Sequence, residues 1–157
     1  MEKQQAKNIF RSLTRIYGIF FLAMILFLVI ASLMLSHRGP LSQTTDQLQV
    51  IQKAIAIGLA IVLLPLAYGY PQRQIRRIGQ EWKLNLKINI YRQAVTLRLA
   101  IVASVFLINA IFFLVTGDND LLMVLAITLV FFILNRPTPF RAATDMGLSD
   151  EEKMQLM

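Results

Sequence analysis

Residues 16–35, IYGIFFLAMILFLVIASLML, contain no charged side chain and determine the class of fold. At a rise of about 1.5 Å per residue, a helix of this length crosses the roughly 30 Å hydrocarbon core of a bilayer. The apolar run is longer than that of a cleaved signal peptide, and no small-residue cleavage site ends it before Ser36. The segment therefore predicts a retained transmembrane helix.

Three further apolar segments follow, and together they predict four spans at about residues 16–35, 52–70, 97–116 and 120–135. The fourth is the shortest. Pro65 removes a backbone hydrogen bond from the second span and should bend it. The composition agrees with a membrane protein, because 56% of the residues are hydrophobic and 16% are charged, against about 45–50% and 25% in soluble domains.

Basic residues lie on one side of these spans. All but Arg38 and Lys53 of the 16 Lys and Arg residues fall in the amino-terminal segment, in or just after the loop 71–96, where Arg98 follows it, or in the tail 136–157. The positive-inside rule then places both termini and this loop in the cytoplasm. It also explains the formal net charge of +7 without a nucleic-acid partner. We expect one membrane domain, residues 1–135, and a cytoplasmic tail, residues 136–157.

The segment EWKLNLKINIYR, residues 81–92, is open to two interpretations. Its alternation is typical of a half-buried strand. The chain has no second alternating segment with which such a strand could pair, however, and residues 92–102 continue into the third span without Gly or Pro. We therefore expect a helix that leads into the third span, with a strand that pairs with a partner as the alternative.

As a helix, this segment has two apolar stripes with basic residues between them. The candidate partner surface consists of Trp82, Leu84, Leu86, Ile88 and Tyr91. The basic residues of the loop are candidates for contact with anionic lipid headgroups, at about 1 kcal/mol per charge; they are Arg73, Arg76, Arg77, Lys83 and Lys87. The simpler interpretation is that these charges set the topology and bind no specific ligand.

The tail carries signals for two short helices. Thr138 can cap the first, with Pro139 at its first position, and Gly147 can end it. Ser149 and Glu152 have the spacing of a capping box for the second. The apolar residues available for docking against the helix before the third span are Met146, Leu148, Met154 and Leu156.

The apolar interiors of the spans contain no ionisable side chain, which argues against a proton- or ion-coupled transporter. Asn109 is the strongly polar residue near mid-depth. We expect its amide to hydrogen-bond a neighbouring helix, with a substrate or pore contact as the alternative. In the second span, small residues at 54 and 58, and again at 56 and 60, predict a face for helix packing.

No motif for catalysis is present. The sequence lacks a Gly-rich phosphate loop, HExxH and GxSxG. It has no cysteine, which excludes disulfides and thiolate metal sites. Glu81 is the only acid in the middle loop, whereas general acid–base catalysis usually needs a second titratable partner. We expect no catalytic, cofactor-binding or metal-binding residue.

The second half of the chain resembles a family. The strings YRQAVTLRLAIV (91–102) and FFILNRPTPFRAATDMGLSDEE (131–152), with a GDN turn between them, are similar to small, uncharacterised four-span inner-membrane proteins of Gram-negative bacteria. The best marker is the run 135–138, NRPT, followed by Asp145 and Leu148. Where a related chain carries an acid inside the third span, this one has VASVFLINAI. The resemblance implies a bacterial inner-membrane location and assigns no activity.

These patterns predict an all-α integral membrane four-helix bundle, with a long cytoplasmic lead-in helix and short helices in the tail. We expect a non-enzymatic inner-membrane protein that acts as an accessory or interaction subunit through its basic cytoplasmic surface. Its partners would be membrane lipids and a second copy or another membrane protein, without nucleic acid. The alternative is a small transporter or channel whose pore forms by oligomerisation, lined by Asn109, Thr128 and Ser104.

Overall fold

The structure, a computed structural model, describes residues 2–41, 45–79, 82, 84–149 and 152–153, with the backbone alone for residues 2–7 and 46. Within these ranges the regular secondary structure is helical, and the prediction of an all-α protein is confirmed. The helices are, in chain order, α1 (Glu2–Arg38), α2 (Asp46–Arg76), α3 (Leu84–Thr116), α4 (Asn119–Leu134) and α5 (Pro139–Asp145).

Three helical segments are long and apolar enough to cross a membrane: Asn8–Arg38, Gln47–Arg76 and Leu84–Thr116. With 16 residues, α4 is about 24 Å long at 1.5 Å per residue, which is short for a hydrocarbon core of about 30 Å. It is followed after a short break by α5, at an angle of 82°. A fourth crossing therefore depends on whether α4 and α5 count as one bent span.

The outer faces of α1 and α2 are apolar. Leu22 is 69% exposed and Ile61 is 67% exposed, and many other large aliphatic side chains on these helices share this environment. Soluble monomers rarely expose contiguous apolar surface of this extent. Acyl chains would cover it without a hydration cost, which is the physical basis for placing these helices in a membrane.

Helix α3 is the packing centre of the fold, since it contacts α1, α2 and α4. It runs for 33 residues without Gly or Pro, and its buried side includes Ile88, Leu99 and Phe106. The prediction of a helix that leads into the third apolar segment is thus confirmed for residues 84–92. Trp82 precedes the helix, and Glu81 and Lys83 lie outside the described residues.

Aromatic contacts join α1 to the rest of the bundle. The rings of Phe10 and Tyr91 lie 6.2 Å apart between centroids, which ties the first turns of α1 to α3. Further along α1, Tyr17 stacks on Phe132 of α4 at 4.8 Å. Such pairs add about 0.5–1.5 kcal/mol beyond the area that they bury. The amino-terminal part of α1 is therefore a packed element of the fold.

Helix α2 continues through Pro65 and Pro71 without a break. Of the two predicted pairs of small residues, Ala56 and Ala60 are buried, whereas residues 54 and 58 are exposed. A Cβ added at Gly58 would meet no neighbouring atom within 4 Å. One pair therefore serves packing within the chain, and the other lies on the outer face.

The GDN turn between the third and fourth apolar segments is present in the structure. Gly117 adopts a φ of +67°, a conformation that other residues rarely take, and the Asp118 side chain accepts a hydrogen bond from the Asp120 N–H at 2.8 Å to cap α4. Lys53 of α2 forms ion pairs with both acids, at 3.1 Å to Asp118. The turn is thereby tied to the first part of α2.

The predicted signals of the tail are also present. The Thr138 hydroxyl accepts a hydrogen bond from the Arg141 N–H at 3.2 Å, Pro139 begins α5, and Gly147 follows its end with a φ of +60°. Ser149 and Glu152 form the reciprocal bonds of a capping box, at 3.1 Å and 3.3 Å. Met154 and Leu156, expected to help in docking, lie outside the described residues.

Candidate interaction surface

The basic end of α2 is exposed. Arg73 and Arg76 lie in its last turn and Arg77 is its C-cap, and all three side chains reach solvent. Cations at a helix carboxyl terminus are favoured by the helix dipole, so their position has a local reason as well. Lys83, the fourth predicted basic contact, lies outside the described residues. The described part of this surface therefore carries three guanidinium groups.

The candidate partner surface on the lead-in helix is divided by the fold. Leu84, Ile88 and Tyr91 are 7%, 0% and 1% exposed, so this stripe belongs to the core of the chain. Leu86 remains 49% exposed on another face of α3. The two stripes thus have different roles: one stabilises the fold, and the other is available for contact with another molecule.

Trp82 is exposed and yet held in place. Its side chain is 41% exposed, and its backbone N–H donates to the Gly79 carbonyl at 3.2 Å. A Cβ added at Gly79 would lie 3.1 Å from the indole Nε1, so the ring rests directly on the glycine backbone. The aromatic ring is therefore fixed a few residues beyond the Arg76 and Arg77 pair.

Lys87 does not face the surface. Its side chain is 3% exposed, and its ammonium donates to the Glu152 carboxylate at 2.8 Å. The tail residues Met146 and Leu148 are buried in the same core as Leu84 and Ile88. This ion pair and the shared core agree with the predicted docking of the tail on the lead-in helix. Because Lys87 is buried and paired with Glu152, its side chain is not available to contact lipid headgroups.

The electrostatics of this pair favour the charged state of Glu152. Partial burial would raise the pKa of its carboxyl group, but the Lys87 ammonium and the Ser149 backbone N–H outweigh that effect. The net pKa of Glu152 is therefore below its ordinary value. A carboxylate that is ionised at neutral pH is what keeps the buried Lys87 ammonium paired.

Arg98 is buried, which sequence reasoning missed because it assigned this residue to the charged loop. The guanidinium donates to Gln72 at 3.1 Å and to Asn135 at 3.4 Å, and it lies 4.7 Å from the centre of the Tyr68 ring. Its Nε has no partner among the described residues. The neighbouring sequence gives no signal for this burial, because Leu97 in the same helical run is 38% exposed.

Asn109 lies in the core, with its amide nitrogen donating to the Val105 carbonyl at 2.9 Å in its own helix. Its Oδ1 finds no partner within the described part of the chain. Thr128 is likewise buried and bonds back to its own helix, whereas Ser104 is exposed. The three residues proposed to line a pore therefore do not share one surface of this chain.

A comparison with known proteins gives no relative to guide the assignment. No known protein family, curated protein or solved structure matches the chain. The exposed members of the predicted lipid-contact and partner surfaces are Arg73, Arg76, Arg77, Trp82 and Leu86, and they form the candidate surface.

Proposed function

We propose that the chain is a non-enzymatic integral protein of the bacterial inner membrane, with both termini in the cytoplasm, that acts as an accessory or interaction subunit. The observation that carries this proposal is the exposed Trp82, whose ring rests on Gly79 two residues after the exposed Arg76 and Arg77 pair. Aromatic residues and arginine are the side chains most enriched at protein interfaces.

The chemistry of this surface points to a partner with acidic residues around an apolar centre. Guanidinium groups pair with carboxylates in bidentate geometry, while Trp82 and Leu86 provide the apolar area. The partner must reach a surface that lies next to the membrane. A second copy of the chain or another membrane protein would be held at that level of the bilayer. The burial of Asn109 and Thr128, with Ser104 exposed, supports this role over that of a pore-forming transporter.

Site-specific photocrosslinking in intact membranes tests the proposal. A photoreactive residue at position 82 or 86 should give a discrete protein adduct, whereas one at position 123, on the apolar outer face of α4, should not; Met123 is 69% exposed and serves as the matched control. The adduct should disappear in an Arg76→Glu, Arg77→Glu variant, because the reversed charge repels an acidic partner.

The mass of the adduct separates the two kinds of partner. An adduct at twice the mass of the chain, also formed by purified protein in detergent, identifies a homo-oligomer. An adduct of another mass that needs the native membrane identifies a different protein. Adducts that are the same at positions 82, 86 and 123, or that persist after charge reversal, would contradict the proposal.

A further inference from the structure

A groove of about 520 Å³ lies between α1 and α3, and its lining shares no residue with the candidate surface around Trp82. Helix α1 contributes Ser12 and Ile16 to its lining. Helix α3 contributes the polar side chains of Arg92, Gln93 and Thr96 at one end. The volume falls in the range of small-molecule sites, about 300–1,000 Å³.

The opposite end of the groove is apolar. There α3 contributes Leu97 and Ala100, which lie one helical turn after Gln93 and Thr96 respectively. On α1, Arg15 is the last charged residue before the long apolar run, which Ile16 begins. The groove therefore crosses from charged to apolar surface, and in a chain whose apolar helices lie in a bilayer it opens at the level of the headgroups.

The charge around the polar end is positive. Arg92 is exposed, and so are Arg11 and Arg15 on the neighbouring helix. Arg15 follows Ser12 by three residues, which places the two side chains side by side on α1. Among the described residues none of these three arginines forms an ion pair; the ion pairs there involve Lys53 and Lys87.

The polar side chains of the groove are also uncommitted. Elsewhere in these helices the hydroxyls of Thr14 and Ser104 bond back to the carbonyl four residues earlier, at 3.0 Å and 2.9 Å. The hydroxyls of Ser12 and Thr96 form no such bond within the part of the chain that the structure describes. Together with the Gln93 amide, they are donors available to a ligand.

We propose that this groove binds an anionic phospholipid, with its phosphate at Arg92 and an acyl chain along Ile16, Leu97 and Ala100. A guanidinium presents two parallel N–H donors that match the oxygens of a phosphate, and hydroxyl and amide donors complete its coordination. The apolar end favours a diacyl lipid over a soluble phosphate, because a soluble phosphate has no acyl chain to contact it. The site is separate from the Trp82 surface and does not depend on the proposed protein partner; it depends only on α1 and α3 lying in a membrane.

The test is thermal unfolding of the full-length protein in mild detergent, titrated with short-chain phosphatidylglycerol, with phosphatidylcholine of the same chain length, or with inorganic phosphate. Phosphatidylglycerol should raise the unfolding temperature at concentrations where the other two do not. Arg92→Gln should weaken its apparent affinity about fivefold, the effect of losing one charge near a membrane surface. Ala100→Phe, which fills the apolar end without a change of charge, should weaken it as well.

Arg38→Gln is the matched control, because it removes one exposed guanidinium from the last turn of α1 and leaves the groove unchanged. Its affinity for phosphatidylglycerol should equal that of the unaltered protein. Three results would overturn the proposal: equal shifts with the two lipids, equal losses in Arg92→Gln and Arg38→Gln, or a shift with inorganic phosphate as large as that with the lipid. Far-ultraviolet circular dichroism of each variant, which should match the unaltered protein, verifies that the fold is kept.

Discussion

The Lys87 ammonium and the Glu152 carboxylate meet at 2.8 Å although 65 positions separate them in the chain. The lysine side chain is 3% exposed and the glutamate 22%, so the pair lies at the edge of the core. Through this contact the end of the described chain is attached to the first turn of α3. Its opposite charges are the reason that a lysine is tolerated among Leu84, Ile88 and Tyr91.

Removal of the acid should cost more stability than removal of the base. Glu152→Ala leaves a buried ammonium without its carboxylate, and we expect a loss of about 1–3 kcal/mol in the free energy of unfolding. Lys87→Met replaces the charge with an apolar group of similar length and should cost less. Thermal unfolding in detergent measures both, and a Lys87→Met variant less stable than Glu152→Ala would contradict the expectation. Ser149→Ala, which weakens the capping box alone, is the control.

The docking of the tail should be lost in acid. Because the pKa of Glu152 is below its ordinary value of 4.5, the docked state favours the ionised carboxyl group. Its contribution to stability is complete well above pH 4.5 and disappears as the pH falls through the lowered pKa. Proteolysis of the tail should thus accelerate below about pH 4.5 and stay constant from pH 7 to pH 5.5.

The Glu152→Gln variant isolates this effect. Asp118 also has a lowered pKa, because the Asp120 N–H and the Lys53 ammonium stabilise its carboxylate, so the whole protein loses stability in the same acid range. Subtracting the pH profile of Glu152→Gln from that of the unaltered protein removes the loss of stability that Asp118 causes in both proteins. An identical pH profile for the two proteins would show that Glu152 does not control the tail.

Arg98 should be required for stability in a way that lysine cannot replace. Its fork of donors bonds Gln72 and Asn135 at once and lies over the Tyr68 ring. A lysine offers a single ammonium, so Arg98→Lys should lower the free energy of unfolding by about 1–3 kcal/mol. The exposed Arg76→Lys substitution is the control and should stay within about 0.5 kcal/mol. Equal unfolding temperatures for the two variants would mean that the buried contacts contribute little.

Thiol labelling can decide between three and four membrane crossings. The chain has no cysteine, so single substitutions have no background. If α4 crosses the membrane, a maleimide that cannot permeate should label Asn119→Cys in intact spheroplasts and Phe140→Cys only after permeabilisation. Both positions are exposed, so both should react in detergent. Labelling of both from one side would show that α4 does not cross.

Local signals in the sequence predicted local structure well. The caps at Thr138 and Ser149 and the turn at Gly117 depend on residues within four positions of each other. The long apolar helices follow equally from their composition. For residues 84–92 the alternating pattern favoured a strand, and the helix was expected only because the segment leads into α3 without interruption.

The parts that could not be predicted depend on distant residues. Arg98 meets Gln72 and Asn135 across 26 and 37 positions, and Lys87 meets Glu152 across a longer interval. Nothing in the neighbourhood of either cation distinguishes it from the exposed arginines nearby. The burial of Leu84 and Ile88, with Leu86 left outside, also required the tertiary packing, since both apolar stripes look alike in the sequence.

The continuity of α3 has a mechanical consequence. Its 33 residues form one rod about 50 Å long, without a glycine or proline at which it could flex. The tail is bound to one end of this rod through Lys87 and Glu152. The opposite end leads into the turn whose Asp118 forms an ion pair with Lys53. The tail and the turn are therefore attached to opposite ends of one uninterrupted helix, and Asn109 lies on that helix between the two attachments.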